Sequence, residues 1–131
     1  MDGEQYFTPA KRKPAQSSPA GGEHELKGID LNEHLVANRS ATFFFRMKGD
    51  AMKEAGILDN DILVVDRSIR PVSGQVVVAV LNGDLLVRRF HRNFSSAFLI
   101  AENPRFPSIN LAEFSDFLVW GVVTYAIHRV V

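Results

Sequence analysis

Residues 47–52 read Met-Lys-Gly-Asp-Ala-Met and come directly after the very apolar run Thr42-Phe43-Phe44-Phe45. Glycine reaches backbone angles that a Cβ forbids, so Gly49 permits a sharp turn at the strand end that would expose the next side chain and its amide. On composition alone the segment is a tight turn, with Asp50 expected to hold it by accepting backbone hydrogen bonds. Little else in the chain has the spacing to hold a metal or attack a bond. Asp59 and Asp61 resemble half of a calcium loop, yet the run from Ile62 to Val65 is a strand and the remaining oxygen ligands are missing. The chain has no cysteine, which excludes disulfides and thiolate metal sites, and its four histidines show no ligand spacing. No cofactor and no metal are expected, and His128 reads as a surface residue at a strand end.

The elements that must position the turn are mostly strands. Runs rich in Val, Ile, Phe and Leu predict strands over 41–47, 61–66, 75–81, 84–90, 97–101 and 117–128. Asn82-Gly83 tolerates the positive φ angles of a type I′ hairpin and joins the third of these to the fourth. Ile29, Leu31 and Leu35, with Asp30 as a cap, predict one or two helical turns over 29–35. Pro104 and Pro107 punctuate a loop before the last strand. Residues 1–27 are different, with Pro9, Pro14, Pro19 and several glycines among polar neighbours, and read as an arm, flexible or docked in extended form. Its basic run Lys11-Arg12-Lys13 is short and reads as a solvated tail.

The 131 residues suffice for one core and not for two, and a hydrophobic fraction of 46% with 23% charged residues is that of a soluble globular chain. Fifteen Lys and Arg balance fifteen Asp and Glu, so no overall basic excess drives nonspecific phosphate binding and a stand-alone nucleic-acid binder is not expected. No apolar run approaches the roughly 18 residues that cross a bilayer. Asp2 and Glu4 stand where a secretory signal carries positive charge. The expected compartment is therefore a reducing cytoplasm, with no membrane partner.

Several blocks, in order, carry a more specific signal: Ile29-Asp30-Leu31-Asn32, Ser40-Ala41-Thr42-Phe43-Phe44, Gly49-Asp50-Ala51-Met52, the run from Asp59 to Asp66, and Gly74-Gln75-Val76-Val77-Val78-Ala79. Asn82-Gly83-Asp84, Val87-Arg88-Arg89, Ala101-Glu102-Asn103-Pro104 and Gly121-Val122-Val123 continue them. Together they resemble the UmuD family, the mutagenesis relatives of the LexA repressor's self-cleaving domain, over Gly28 to Arg129. The resemblance implies a mainly β fold like the LexA/UmuD C-terminal domain, with curved antiparallel sheets and one short helix over 28–131, preceded by the extended arm. It also implies a serine protease with a Ser and Lys pair that cuts one bond in its own arm. The family's serine comes after Gly-Asp and before Met, which maps onto Ala51, framed by Gly49, Asp50 and Met52 as turn and oxyanion site. Its lysine comes after an apolar residue in the strand beyond Asn-Gly, which maps onto Arg88.

Both catalytic positions depart from the family. A serine hydroxyl needs a neutral amine to take its proton, and such a lysine is made neutral by burial in an apolar site. Alanine has no nucleophile and arginine stays protonated, so the chain is expected to be inactive in this chemistry. Ser40 and Thr42 lie too early to substitute, and Lys48 precedes the turn. A deliberate pair of replacements that traps the uncut chain and a natural pseudoenzyme explain the two positions equally. In the arm, Ser18-Pro19-Ala20 matches the end of the family's cleavage region and places the bond at Pro14 and Ala15, with Gln16 where an aromatic is expected; Ala20-Gly21 is a second candidate.

The partners implied are a second copy in a homodimer, a UmuC-type error-prone translesion DNA polymerase, and the RecA filament on single-stranded DNA, in a bacterial cytoplasm, with no direct sequence-specific DNA binding. The alternative is a fragment of a LexA-like self-cleaving transcription repressor, whose helix-turn-helix finds neither length nor apolar helical period in the arm. Arg88 alternates with Leu86 and Phe90, so it should point to an apolar face and need a partner, expected near the Ala51 turn. Phe117, Trp120 and the phenylalanines at 43, 44 and 45 are expected in core or interface. In the last strand, alternation puts Phe117, Val119, Val123, Tyr125 and Ile127 on one face and Leu118, Trp120, Val122 and Ala126 on the other. Both faces are apolar, so one needs a cover, and a homodimer through this strand is expected.

Overall fold

The hydrophobic runs become antiparallel strands of one sheet in a computed structural model that describes residues 26–131. They are β1 (Thr42–Arg46), β2 (Ile62–Asp66), β3 (Val76–Leu81), β4 (Asp84–Arg92), β5 (Ala97–Ile100), β6 (Ile109–Asn110) and β7 (Phe117–Ile127), in the order β1-β2-β7-β3-β4-β5-β6. Single-turn 3-10 helices lie at Arg39–Ala41, Lys53–Ala55 and Leu111–Glu113. The one α-helix among the described residues, α1 (Leu31–Leu35), starts where the Asp30 carboxylate accepts the Asn32 amide at 2.9 Å, the capping bond expected of that residue. Leu35–Val131 form one compact unit. The mainly β architecture with one short helix is the one the resemblance implies. The arm's candidate bonds, Pro14 to Ala15 and Ala20 to Gly21, and its basic run lie outside the described residues.

Two differences from the sequence reading have plain causes. β6, just beyond the loop that Pro104 and Pro107 punctuate, pairs with β5 over only two residues, too few for any periodicity to reveal. β4 runs through Arg92, beyond the expected end at residue 90, because His91 and Arg92 still pair with Phe98 and Ala97.

Side chains alternate across the sheet and fill two clusters. Val77, Ala79, Leu81, Phe90, Leu99, Leu111 and Val122 form the first. Met47, Met52, Ile57, Leu63, Val65 and Val78 form the second. β7 serves both, and here strict alternation fails. Val78 pairs with Gly121 but Ala79 with Val119, leaving Trp120 as an extra residue. Val64 pairs with Tyr125 but Val65 with Val123, leaving Thr124. Each extra residue reverses the facing of the residues beyond it. Val119 and Val122 therefore share the first cluster while Trp120 and Val123 share the second, which corrects the expected grouping. Gly121 sits at this irregularity because a Cβ there would lie 2.7 Å from Val65 Cγ1.

The aromatic residues divide between core and surface. Trp120 meets the rings of Phe43 and Phe45 edge-on at 5.1 and 5.3 Å, and the Arg67 guanidinium lies 4.2 Å above it. Phe44, Phe117, Leu118, Tyr125 and Ile127 stay exposed. Among the described residues no helix is long and apolar enough to cross a membrane.

Candidate functional site

The turn after β1 is anchored at both ends by methionines. Met47 and Met52 are buried in the second cluster, Met52 completely, so residues 48–51 must reverse direction between two fixed points. Gly49 does this at φ 87°, in the left-handed region that a glycine permits. Its amide donates to Asp59 Oδ1 at 2.6 Å. The Asp50 carbonyl accepts from the Lys53 amide at 3.2 Å and from Asn103 Nδ2 at 2.8 Å, and the Ala51 carbonyl accepts from the Glu102 amide at 2.8 Å.

This bonding corrects the role expected of Asp50. Among the described residues its carboxylate accepts no backbone amide; it is half-exposed, with Arg105 Nη1 at 3.9 Å. Asp59 does the holding instead, from a loop that runs back alongside the turn. There the Met47 amide donates to the Asp61 carbonyl and the Met47 carbonyl accepts from the Asn60 amide, each at 2.8 Å. Asp61, 1% exposed, accepts the Leu58 amide at 2.8 Å, and His128, at the surface after β7, stands 4.0 Å from it. Both carboxylates of the calcium-like spacing thus serve backbone amides. Among the described residues no group of His, Cys, Asp and Glu could hold a metal ion.

Ala51 is buried at 5% exposure, its methyl group standing where the family mapping places a hydroxyl. The other hydroxyls nearby in sequence are engaged elsewhere, Ser40 with Asn38 Oδ1 at 3.0 Å and Thr42 with the Asn38 carbonyl at 2.6 Å. Lys48 is exposed.

Arg88 occupies β4 opposite Val77, between Leu86 and Phe90, and so faces the first cluster as alternation predicts. Half-buried, it has its pKa pulled below the ordinary arginine range by desolvation, yet a guanidinium remains protonated in proteins. Nη1 donates to the Val87 carbonyl at 2.8 Å, the carbonyl of its own chain neighbour. Nε is buried without a partner among the described residues. The guanidinium carbon lies 5.5 Å from the centre of the Phe106 ring. Arg89 points the other way, and its Nε and Nη1 donate to Glu102 Oε2 and the Gly74 carbonyl, each at 2.7 Å.

One segment joins the two positions. The chain leaves β5 beside β4, and residues 102–106 then contact the turn and Arg88 in succession. Glu102 and Asn103 bond Ala51 and Asp50, while Phe106, whose amide donates to the Asn103 carbonyl at 3.0 Å, lies against Arg88. Asn103 is 5% exposed; besides its bond to Asp50, its Oδ1 accepts the Arg105 amide at 3.0 Å. Nothing in the composition singled out Asn103, and Asp59 stood out only as half of a calcium-like spacing, not as an anchor of the turn. Both stood inside blocks of the resemblance.

The peptidase S24-like family profile matches residues 12–124. Protein SamA of Salmonella typhimurium is 34% identical over 119 residues, covering 91% of this chain and 82% of its own length. Protein MucA of Escherichia coli is 35% identical over 111 residues, 84% of this chain and 75% of its own. The LexA repressor of Bordetella avium is 32% identical over 130 residues, 95% of this chain but 61% of the repressor. With a profile match over most of its length, identities above 30% to these relatives and the mainly β antiparallel fold, the chain belongs to the peptidase S24-like family as a member of the UmuD/LexA type.

Proposed function

We propose that this chain is a UmuD-type accessory subunit of an error-prone, lesion-bypass DNA polymerase that has the scaffold of a self-cleaving serine protease without its chemistry. In a Ser and Lys pair, the amine takes the hydroxyl proton as the oxygen attacks the scissile carbonyl, and backbone amides stabilise the resulting oxyanion. Position 51 offers a methyl group and position 88 a cation that holds its protons, so neither half of the first step can occur. The observation that carries the reading is the intact turn: Gly49 keeps its left-handed angle and Asp59, Glu102 and Asn103 hold the backbone around a residue that cannot react. Such a chain stays in its uncut form, with the bond at Pro14 and Ala15 or at Ala20 and Gly21 unbroken.

The partners belong to the same reading. Tyr125 and Ile127, exposed and apolar at the far end of β7, supply a surface for a homodimer. A RecA filament on single-stranded DNA and a UmuC-type polymerase are the larger partners, in a bacterial cytoplasm; zero net charge supports contact with protein over direct sequence-specific DNA binding. Incubation with RecA, nucleotide and single-stranded DNA, with mass spectrometry as the readout, tests this. The expected product is the unchanged 14.6 kDa chain, and a shortened chain lacking the arm would overturn the reading. Likeness to the LexA repressor supports a second reading, the self-cleaving part of a repressor, which predicts that the chain does not copurify with the polymerase.

A further inference from the structure

The hairpin between β4 and β5 closes over a shallow hollow of about 360 Å³ that shares no lining residue with the Ala51 turn or with Arg88. Its volume falls within the ~300–1,000 Å³ of small binding sites. The floor is Leu111, buried in the first cluster, and the rings of Phe94 and Phe117 stand around it. The loop that carries Phe94 is set by its own bonds: Asn93 Oδ1 accepts the amides of Ser95 at 3.0 Å and Ser96 at 2.8 Å, and the Asn93 amide donates to the Ser96 carbonyl at 2.9 Å. None of these bonds needs Phe94, whose side chain is fully exposed although burial would reward it. Phe117, also on the lining, is half-exposed as well.

The polar part of the lining has a single sign. Arg92 is its one charged residue; the guanidinium carbon lies 5.4 Å from the Phe90 ring centre and has no carboxylate partner among the described residues. The hydroxyls of Ser95 and Ser96 likewise have no partner there. A nucleic acid would call for several phosphate contacts, and one cation does not supply them. Two exposed rings, free hydroxyls and one unpaired guanidinium suit a different ligand. The geometry points to a docking hollow for a protein partner that presents one bulky apolar side chain with a carboxylate beside it. The apolar side chain sits between Phe94 and Phe117, and the carboxylate takes a charge-assisted pair with Arg92.

Titration of the full chain, monitored by amide NMR shifts, tests this with three terminally blocked tetrapeptides: Asp-Leu-Phe-Asp, Asn-Leu-Phe-Asn and Lys-Leu-Phe-Lys. The acidic peptide should give saturating shifts at Ser95, Ser96 and Ala112, the neutral one should bind about tenfold more weakly, and the basic one more weakly still. Arg92→Gln should erase the preference for acid, and Phe94→Ala should remove the shifts with all three. Both side chains are exposed, so both variants should keep the unaltered spectrum for core amides such as Leu99. The proposal is overturned by equal binding of the acidic and basic peptides, by the same shifts with sodium acetate alone, or by no shift at millimolar peptide. Concentration-dependent shifts at these amides without peptide would overturn it in favour of a second copy of the chain.

Discussion

Around Ala51 the amide of Gly49 and the carbonyls of Asp50 and Ala51 all find partners inside the fold, while Arg88, reached through the same 102–106 segment, leaves a buried Nε with none. The contrast separates two kinds of dependence on sequence. The shape of a turn is held by backbone bonds and by the packing of Met47 and Met52, so a methyl group in place of a hydroxyl leaves it standing. A general base depends on its own side chain losing a proton, and the half-buried setting that would favour a neutral amine only penalises a permanent cation. The backbone around Ala51 is well partnered, whereas the side chain at position 88 keeps a buried donor without a partner among the described residues.

The largest expected effect breaks the well-satisfied side. Met52→Ala removes a fully buried side chain between the turn and the second cluster and should cost about 3 kcal/mol in urea unfolding. A cost below ~1 kcal/mol would mean that packing does not anchor the turn. A smaller effect separates Asn103 from Asp50: Asn103→Ala should cost about 1–2 kcal/mol because it removes a buried amide that donates to the Asp50 carbonyl and accepts the Arg105 amide, whereas Asp50→Ala should change stability by less than ~0.5 kcal/mol. The reverse order would return the holding role to the Asp50 carboxylate. The smallest effect compares neighbouring arginines. Arg88→Met removes an unpaired buried donor and should be neutral or stabilising by up to about 1 kcal/mol, while Arg89→Met breaks two bonds and should destabilise by about 1 kcal/mol. Equal losses from both would show that Arg88 is as well accommodated as Arg89.

The same contrast shows how far local composition reaches. Six of the strands were legible because each is a run of four or more residues rich in Val, Ile, Phe and Leu, and Gly49 was legible because glycine permits a sharp turn at a strand end. β6 was not, at two residues, and the facing of β7 was not, because an extra residue at Trp120 or Thr124 leaves the apolar pattern intact while reversing its direction. The placement of Ala51 and Arg88 came from blocks of resemblance. The groups that hold them did not: Asn103 meets Asp50 across 53 residues of chain, and Asp59 replaced the nearer Asp50 as the anchor of the Gly49 amide. Such partners are decided by which loops the sheet brings side by side, and local composition carries no record of that.

Supplying both missing groups tests the central claim most directly. The unaltered chain, Ala51→Ser, and Ala51→Ser with Arg88→Lys are incubated over a range of alkaline pH and their cleavage is monitored on a gel. The first two should stay uncut throughout. The double variant should cut its arm, faster as pH rises, because the burial that depresses the Arg88 pKa disfavours the charged form of a lysine there too, and the neutral amine gains population with each step upward. Comparable cutting in the unaltered chain, or a folded double variant that stays intact at every pH, would contradict the assignment of Ala51 and Arg88.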